Sequence, residues 1–186
     1  LKSDSRNVTP GDWFIALKGA SHDGHTFLQE VIARGAVGLI AQRLPEHLPA
    51  SITGIAVPDT LVALGALAHG LRLRASTKII ALTGSSGKTT TKHLIGSVLD
   101  DQGVTLPYTS GFNNEFGGPF TLLNLRPEHA FAVIECGARH PGDIRYLADI
   151  VAADIALITN VGMAHVGEFG SIDAVYRTKL EMVTHG

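Results

Sequence analysis

The sequence predicts an α/β protein built around parallel sheets. Short, continuously apolar runs alternate along the chain with helix-like segments, which is the pattern of buried parallel strands joined by crossover helices. Many of the 21 glycines stand where an apolar run ends, as expected of the loops in such a fold. The 186 residues, of which 45% are hydrophobic, suit one large domain or two small ones, and either division can bury a core.

Composition and charge exclude several classes of function. With 15 Lys and Arg against 17 Asp and Glu, the formal net charge of −2 gives no electrostatic reason to expect nucleic acid or an anionic membrane as a partner. No apolar run approaches the roughly 20 residues that a membrane span needs. The single cysteine, Cys136, excludes an internal disulfide framework and a multi-cysteine zinc site. We therefore expect a cytoplasmic protein.

Strands and helices alternate in the first part of the chain. The predicted strands are residues 13–17, 37–41 and 55–57. The predicted helices are residues 27–34 and about 60–74, the second with one apolar face. That face comprises Leu61, Leu64, Leu67, Ala68 and Leu71. The stretch 73–77, where this helix ends and a new strand begins, is the predicted boundary between domains 1–75 and 76–186.

The second part continues the alternation and adds a glycine-rich loop after its first strand. The predicted strands are residues 79–82, 131–134 and 155–158. The predicted helices are one that carries Leu94, Ile95, Val98 and Leu99, followed by residues 144–151 and 172–184. The chain stops on a helix without a closing strand, so we expect a truncated domain.

The glycine-rich loop between a buried strand and a helix predicts a nucleoside triphosphate site. Successive backbone N–H groups of such a loop can surround a phosphate, and the positive end of the following helix adds to the attraction. Lys88 is placed to reach the β- and γ-phosphate oxygens, and the Thr89 hydroxyl to bind Mg²⁺. Leu82 occupies the position of the first glycine in the general pattern, so the loop is a shortened variant. The alternative is a helix-capping loop with an incidental lysine. The predicted nucleotide-binding residues are Gly84, Ser85, Ser86, Gly87, Lys88, Thr89 and Thr90.

Two polar side chains follow strands of the same predicted sheet. Glu135 comes after strand 131–134 and His165 after strand 155–158, at the edge where open α/β sheets bind ligands. A carboxylate and an imidazole can hold a divalent ion beside a triphosphate. The alternatives are a solvated or salt-bridged glutamate and a surface or capping histidine. Taken alone, Lys179 is predicted to be an exposed lysine and Cys136 a small buried residue.

Five segments together resemble the Mur ligase family, ATP-dependent enzymes that build the peptide stem of bacterial peptidoglycan. The likeness covers essentially the whole chain. The segments are Ser3-Asp4-Ser5-Arg6 with Thr9-Pro10-Gly11-Asp12, Ala16-Leu17-Lys18-Gly19 and Asp23-Gly24-His25; the short phosphate loop; Asn113-Asn114-Glu115-Phe116-Gly117 with Pro119 and Thr121-Leu122-Leu123; Glu135-Cys136-Gly137-Ala138 with His140 and Gly142; and Thr159-Asn160-Val161-Gly162 with Ala164-His165, Phe169-Gly170-Ser171 and Lys179-Leu180-Glu181.

The resemblance implies roles for individual residues. Thr89 and Glu135 would bind one magnesium ion and His165 a second. Lys179 is the lysine that is usually carbamoylated in the family, and as an anion it would join the metal shell. The implied catalytic residues are Lys88, His165 and Lys179. The implied substrate-binding residues are Ser5, Arg6, Lys18, Asp23, His25, Asn113 and Asn114.

The resemblance also implies a reaction and an architecture. The segment that begins at Asn113 favours the branch that joins D-alanyl-D-alanine to UDP-N-acetylmuramoyl-tripeptide through an acyl phosphate, using ATP and two Mg²⁺ ions. The implied architecture is a small UDP-binding α/β domain short of its first strand, followed by part of a parallel-sheet ATP-binding domain. We expect a monomer that acts on small molecules and does not turn over by itself, because the family's remaining ATP domain and C-terminal domain are missing.

Alternatives from the same and from another class stay open. One is a ligase that adds a single amino acid to UDP-N-acetylmuramoyl-dipeptide. The other is a nucleotide- or UDP-sugar-binding fragment without catalysis. Folylpolyglutamate synthase-like enzymes share the nucleotide fold, but the segment within residues 3–25 argues against them.

Overall fold

The computed structural model describes residues 1–19, 22–107, 114–163 and 166–184. Asn113 and His165, both predicted site residues, lie outside these ranges. The chain divides into two compact units, Leu1–Leu64 and Gly65–Gly186, and the division falls within helix α2 (Thr60–Arg72). None of the helices in the described ranges combines the length and apolarity that a membrane span requires.

The strands of the first unit are parallel, as predicted. They are β1 (Trp13–Ile15), β2 (Gly38–Ala41) and β3 (Thr53–Ala56), in the spatial order β1-β2-β3. Helix α1 (Leu28–Ala33) follows a 3-10 turn at Gly24–Phe27. Lys2 pairs with the outer edge of β1, since Lys2 N–H donates to Trp13 O at 2.7 Å and Ile15 N–H to Lys2 O at 2.8 Å. Phe14, Val31 and Leu39 are fully buried in this unit's core.

The second unit contains another parallel sheet, with strand order β5-β4-β6. Its strands are β4 (Lys78–Thr83), β5 (Phe131–Glu135) and β6 (Ile155–Ile158). Its helices in the described ranges are α3 (Lys88–Asp100), α4 (Gly117–Leu122), α5 (Asp143–Val151), α6 (Val166–Phe169) and α7 (Ile172–Thr184). The core packs around Ile79, Ile134, Ile144, Leu147 and Met182. The predicted α/β class and the alternation of strands with helices are confirmed.

The continuous apolar runs led us to expect sheets that are covered on both faces. In each sheet, however, one strand is partly exposed. Ile155 on β6 is 58% exposed, and β3 of the first unit is exposed along most of its length. Both are edge strands of their sheets within the described residues. Apolar composition therefore predicted these strands correctly but not their burial, because burial depends on what packs against a strand.

The predicted apolar face of α2 is also wrong in part, because Leu67 is 45% exposed. The face in contact with the second unit's core includes small residues. Ala68 is fully buried there, and a Cβ added to Gly65 would lie 2.7 Å from Ile150 Cδ1. Helix α5 lies so close that small residues are favoured at this contact. The spacing of the leucines alone therefore did not predict which side of α2 is buried.

Arg72, at the end of α2, binds the turn between α5 and β6. Its Nε donates to Val151 O at 3.2 Å and to Ala152 O at 3.0 Å, and its Nη2 lies 2.8 Å from Asp154 Oδ2. Burial acts to raise the pKa of Asp154, but hydrogen bonds from Lys78 and from Ile79 N–H outweigh it and the pKa is lowered. The turn is thus held by a partly exposed carboxylate with several donors.

Ala152 ends α5 with a left-handed backbone, φ 42° and ψ 60°. A side chain makes this conformation costly, and glycine adopts it without strain. We expect Ala152→Gly to raise the free energy of unfolding by about 0.5–1 kcal/mol, measured by urea denaturation, because relief of strain exceeds the added chain entropy. Ala148→Gly, inside the same helix and buried, should instead lower it by about 1 kcal/mol. A loss of stability in both variants would contradict the argument.

Candidate functional site

The candidate site lies at the carboxyl edge of the second unit's sheet. The chain leaves central strand β4, passes to β5 on one side and then to β6 on the other. Such a reversal of direction opens a crevice beyond the central strand, where open α/β sheets bind ligands. Strands β4, β5 and β6 end at this edge, and the predicted nucleotide- and metal-binding residues in the described ranges lie at the end of β5, in the loop after β4 and in helices α3 and α7.

The loop after β4 needs glycine at both ends. Gly84 has φ 152°, and a Cβ at this position would collide with the Thr159 hydroxyl. Gly87 has φ 76° and occupies the N-cap of α3. Its left-handed backbone directs the chain into the helix, so the N-terminus of α3 follows the loop directly. This is the strand–loop–helix arrangement that the sequence predicted.

Lys88, the first residue of α3, directs its amine back to the loop. Its Nζ donates to Gly84 O at 2.8 Å. The ammonium is therefore held by the same loop whose shape suits a phosphate group. A phosphate oxygen is a stronger acceptor for an ammonium than a neutral carbonyl oxygen, so an entering phosphate can replace this bond.

A buried carboxylate faces the beginning of α3. Glu135, at the end of β5, is 5% exposed and accepts a hydrogen bond from the Thr89 hydroxyl at 3.0 Å. Lys92, one turn further along α3, is 4% exposed, and its ammonium lies 3.6 Å from the same carboxylate oxygen. The Lys92 charge offsets the desolvation of Glu135. Sequence reasoning missed Lys92, because a lysine inside a helix is usually exposed.

The pair of Thr89 and Glu135 fits a divalent cation in the chemistry of its donors. A hydroxyl and a carboxylate are hard oxygen ligands, which suit Mg²⁺. The described residues contain no cluster of three or more His, Cys, Asp or Glu side chains that could hold a metal by themselves. Phosphate and water oxygens would have to complete the coordination, as is usual for Mg²⁺ at triphosphate sites.

Lys179 on α7 is buried, being only 2% exposed, which contradicts the expectation for this lysine taken alone. Burial lowers the pKa of its amine, and the nearby charge of Lys88 lowers it further. Asp143 and Cys136 partly oppose this shift. A larger fraction of the Lys179 amine is therefore neutral near neutral pH than for an ordinary lysine.

Cys136 is fully buried, as predicted. Burial first, and the charge of Glu135 second, raise the pKa of its thiol to about 12. The reactive thiolate form is therefore scarce at neutral pH, and Cys136 serves as a small core residue.

The loop after β6 contacts the phosphate loop, a feature that sequence reasoning missed. Asn160 and Thr159 form hydrogen bonds with Ser85 and Ser86, and Ser85 Oγ also accepts from Gly162 N–H at 2.9 Å. The available sequence signal was a pair of polar residues directly after an apolar strand. That signal does not say which neighbouring loop they bind.

A cleft in the first unit holds two of the predicted substrate-binding residues. Its volume is about 490 Å³, and Ser5 and Arg6 are among its lining residues, together with Phe27 and Glu30. The Arg6 guanidinium binds Asp4 at 2.7–3.2 Å and lowers the pKa of that carboxyl to about 2. Arg6 is 82% exposed, so its remaining donors face solvent.

His25 is braced on both sides of its ring. Nε2 accepts from Gln42 N–H at 2.9 Å, so Nδ1 carries the hydrogen and donates to Asp23 Oδ1 at 2.6 Å. Lys18 pairs with Asp23 through the backbone. Lys18, Asp23 and His25 are not among the residues that line the cleft. In this conformation they hold the loop beside the cleft, and His25 offers no open ring nitrogen to a ligand.

Asn114, the described member of the predicted Asn pair, caps a helix. Its Oδ1 accepts a hydrogen bond from Gly117 N–H, the first residue of α4, at 3.0 Å. Such a bond satisfies an N–H group that the helix itself leaves unpaired. The Asn114 Nδ2 takes no part in this bond.

Family models match the chain over nearly its whole length. The model described as "Mur ligase middle domain" matches residues 82–185, and "Mur ligase family, catalytic domain" matches residues 1–72. Two similar curated proteins are named UDP-N-acetylmuramoyl-tripeptide–D-alanyl-D-alanine ligase. The protein from Synechocystis sp. is 44% identical, and that from Escherichia coli strain K12 is 41% identical, each over 98% of this chain. The chain spans about 40% of the length of these relatives.

Solved structures show the same likeness. A crystal structure of MurF from Acinetobacter baumannii superposes with a TM-score of 0.93 at 45% identity, over 99% of this chain and 40% of that one. MurF ligase from Thermotoga maritima in complex with ADP gives 0.89 at 34% identity, over 100% of this chain and 43% of that one. A UDP-N-acetylmuramoyl-L-alanyl-D-glutamate–2,6-diaminopimelate ligase shares the fold, with a TM-score of 0.62 at 22% identity.

Lys92→Met tests the buried pair of Lys92 and Glu135. Removing the ammonium leaves a buried carboxylate without its cation, so we expect unfolding free energy to fall by about 3–5 kcal/mol in urea denaturation. Lys78→Met is the matched control, because Lys78 is 68% exposed and its pair with Asp154 should contribute about 1 kcal/mol or less. The double variant Lys92→Met with Glu135→Gln should recover much of the loss. Equal losses for Lys92→Met and Lys78→Met would rule out the buried pair.

Proposed function

The chain belongs to the Mur ligase family, and from that premise we propose that it supplies substrate and nucleotide sites to a ligase joining D-alanyl-D-alanine to UDP-N-acetylmuramoyl-tripeptide. The observation that carries the proposal is that Lys88 and the bond between Thr89 and the buried Glu135 lie beside a phosphate-type loop. The full-coverage relatives named for this reaction support the choice of substrate. Because the chain spans 40% of their length, we propose the activity for a protein that contains it.

We assign residues 1–75 to binding of the UDP-linked substrate and residues 76–186 to ATP. The cleft beside Ser5 and Arg6 supports the first assignment, since the Arg6 guanidinium can pair with a diphosphate. For the second, the left-handed Gly87 and the N-terminus of α3 present backbone N–H groups to a phosphate. We further propose a monomer in the bacterial cytoplasm, and a sedimentation measurement that found a stable dimer would contradict the first of these.

The proposed chemistry is amide formation through an acyl phosphate. The terminal carboxylate of the tripeptide attacks the γ-phosphorus of ATP, and ADP leaves. The amine of D-alanyl-D-alanine then attacks the acyl carbon, and phosphate leaves as the amide forms. The carboxylate and the triphosphate repel each other, so the site must supply positive charge and hold the reactants in line.

Lys88 supplies part of that charge. Its ammonium exchanges Gly84 O for the β- and γ-phosphate oxygens when the nucleotide enters. Thr89 and Glu135 would hold Mg²⁺, which when bound neutralises phosphate charge. Lys92 pairs with the Glu135 carboxylate and holds it in place within a buried setting.

Lys179 is proposed to carry a carbamate, and its surroundings favour the modification. Carbon dioxide reacts with the neutral amine, and burial together with the charge of Lys88 lowers the pKa of this amine. The carbamate replaces a cation with an anion beside Lys88 and would join His165 at a second cation. This change turns a repulsive pair of lysines into an attractive one.

The substrate assignment is tested by calorimetric titration of the chain with UDP-N-acetylmuramoyl-tripeptide, the corresponding dipeptide and UDP-glucose. We expect the tripeptide to bind at least about tenfold more tightly than either comparison ligand, because its last residue adds contacts. Preference for the dipeptide would instead assign the chain to a ligase that adds a single amino acid to UDP-N-acetylmuramoyl-dipeptide. Absence of binding by a folded chain would contradict the proposed substrate site.

Lys88→Ala separates the two sites in the same titration. We expect ATP affinity to fall by about a hundredfold or more, since a charged hydrogen bond to phosphate is lost, while UDP-substrate affinity stays unchanged. In the protein that contains this chain, the variant should form no acyl phosphate. Unchanged ATP binding or full activity would remove Lys88 from the mechanism.

The carbamate is tested with ¹³C-bicarbonate and ¹³C NMR. We expect a carbamate signal whose intensity rises with pH and appears at a lower pH than for an exposed lysine, because the lowered pKa supplies neutral amine earlier. Lys179→Arg is the control and should lack the signal. A signal that persists in Lys179→Arg would place the carbamate elsewhere, and no signal in the unaltered chain would reject it.

A further inference from the structure

Asn160 holds the phosphate loop through both its backbone and its side chain. Its main-chain oxygen accepts from Ser85 N–H at 3.1 Å, and its Oδ1 accepts from Ser86 N–H at 3.0 Å. Its Nδ2 donates to Ser86 O at 3.2 Å and to Ser86 Oγ at 2.9 Å. One planar amide therefore binds the donor and the acceptors of a single loop residue.

Residues on either side of Asn160 extend this contact. The Thr159 hydroxyl donates to Ser86 O at 2.7 Å, and Ser85 Oγ accepts from Gly162 N–H at 2.9 Å. Thr159 also fits closely against Gly84, where no side chain could be accommodated. The loop after β6 thus contacts the phosphate loop at each residue from Gly84 to Ser86.

The phosphate loop needs such support because of its own composition. Glycine at positions 84 and 87 gives the isolated loop many backbone conformations, and any ordering that a ligand must impose weakens binding. The site lacks the first glycine of the general phosphate-loop pattern, where Leu82 lies inside β4. An external brace can fix the short loop before the ligand arrives.

We propose that Asn160 is a positioning residue that fixes Ser85 and Ser86 before nucleotide binds, so that phosphate is contacted by the N–H groups of residues 87–90. The Ser85 and Ser86 N–H groups then belong to the brace and are not phosphate donors, unlike the role that sequence reasoning gave them. The proposal rests on the proposed nucleotide function of this loop. Asparagine suits the position because aspartate lacks the Nδ2 donors and alanine lacks the whole amide.

The first test measures amide hydrogen exchange by NMR in the nucleotide-free chain. In Asn160→Ala we expect the Ser86 amide to exchange about tenfold faster or more, because it loses its acceptor, while amides of β4 and β5 keep their rates. Asn160→Asp retains the Oδ1 acceptor and should retain most of the protection. Asn124→Ala is the matched control, since the Asn124 side chain donates to Phe120 O in α4 and should leave Ser86 unaffected.

The second test measures ATP affinity by calorimetry in the same variants. We expect Asn160→Ala to weaken ATP binding by about ten- to a hundredfold, and Asn124→Ala to leave it unchanged. In the unaltered chain, ATP should newly protect the amides of residues 87–90 and leave those of Ser85 and Ser86 as they were. Thr159→Val, which removes the hydroxyl bonds to Ser86 O and to Thr83 O, serves as a second variant if Asn160→Ala does not fold.

The two arms separate the positioning role from the proposed function. Failure of the unaltered chain to bind ATP would count against the nucleotide function. The exchange data would still test whether Asn160 fixes Ser86 in the nucleotide-free chain. Equal ATP affinity in Asn160→Ala with a deprotected Ser86 amide would overturn the proposal. Uniform deprotection of the second unit's sheet in Asn160→Ala would also overturn it, because Asn160 would then have a general structural role. New protection of the Ser86 amide by ATP would overturn it as well.

Discussion

The site depends on the central position of β4 in its sheet. Parallel strands joined by crossovers all end at one edge, and a strand with neighbours on both sides receives their following loops beside its own. The loop after β4 therefore lies between Glu135 on one side and Asn160 on the other. This topology brings together residues that are separated by more than 40 positions in the chain.

Charge is the second constraint on the site. Lys92 and Lys179 are almost completely buried, and Lys88 is held within the loop. Glu135 faces Lys92, and the charge of Asp143 acts on Lys179. A triphosphate would add negative charge beside these amines, and a carbamate at Lys179 would do the same. The lowered pKa of Lys179 has the same origin, since burial and a neighbouring ammonium both disfavour its charged form.

In each of the two units, a polar side chain holds a loop in place. In the first unit, His25 connects Asp23 to the backbone of Gln42, and its ring is fully engaged. In the second unit, Asn160 connects the loop after β6 to the phosphate loop. In both cases a polar side chain binds the backbone of a distant segment, and conformational freedom is removed from a loop next to a cleft or crevice.

The sequence by itself determined the α/β class, most of the strands and helices, and the strand–loop–helix setting of Lys88, because these follow from local periodicity and from the conformations that glycine permits. The positions of Glu135 and Thr89 at one sheet edge were also predictable, since parallel strands end together. Only the tertiary structure decided that Leu67 is exposed, that Lys92 and Lys179 are buried, and that Asn160 binds Ser86. Burial and pairing arise from segments distant along the chain, and residue type and spacing carry no record of which segments meet.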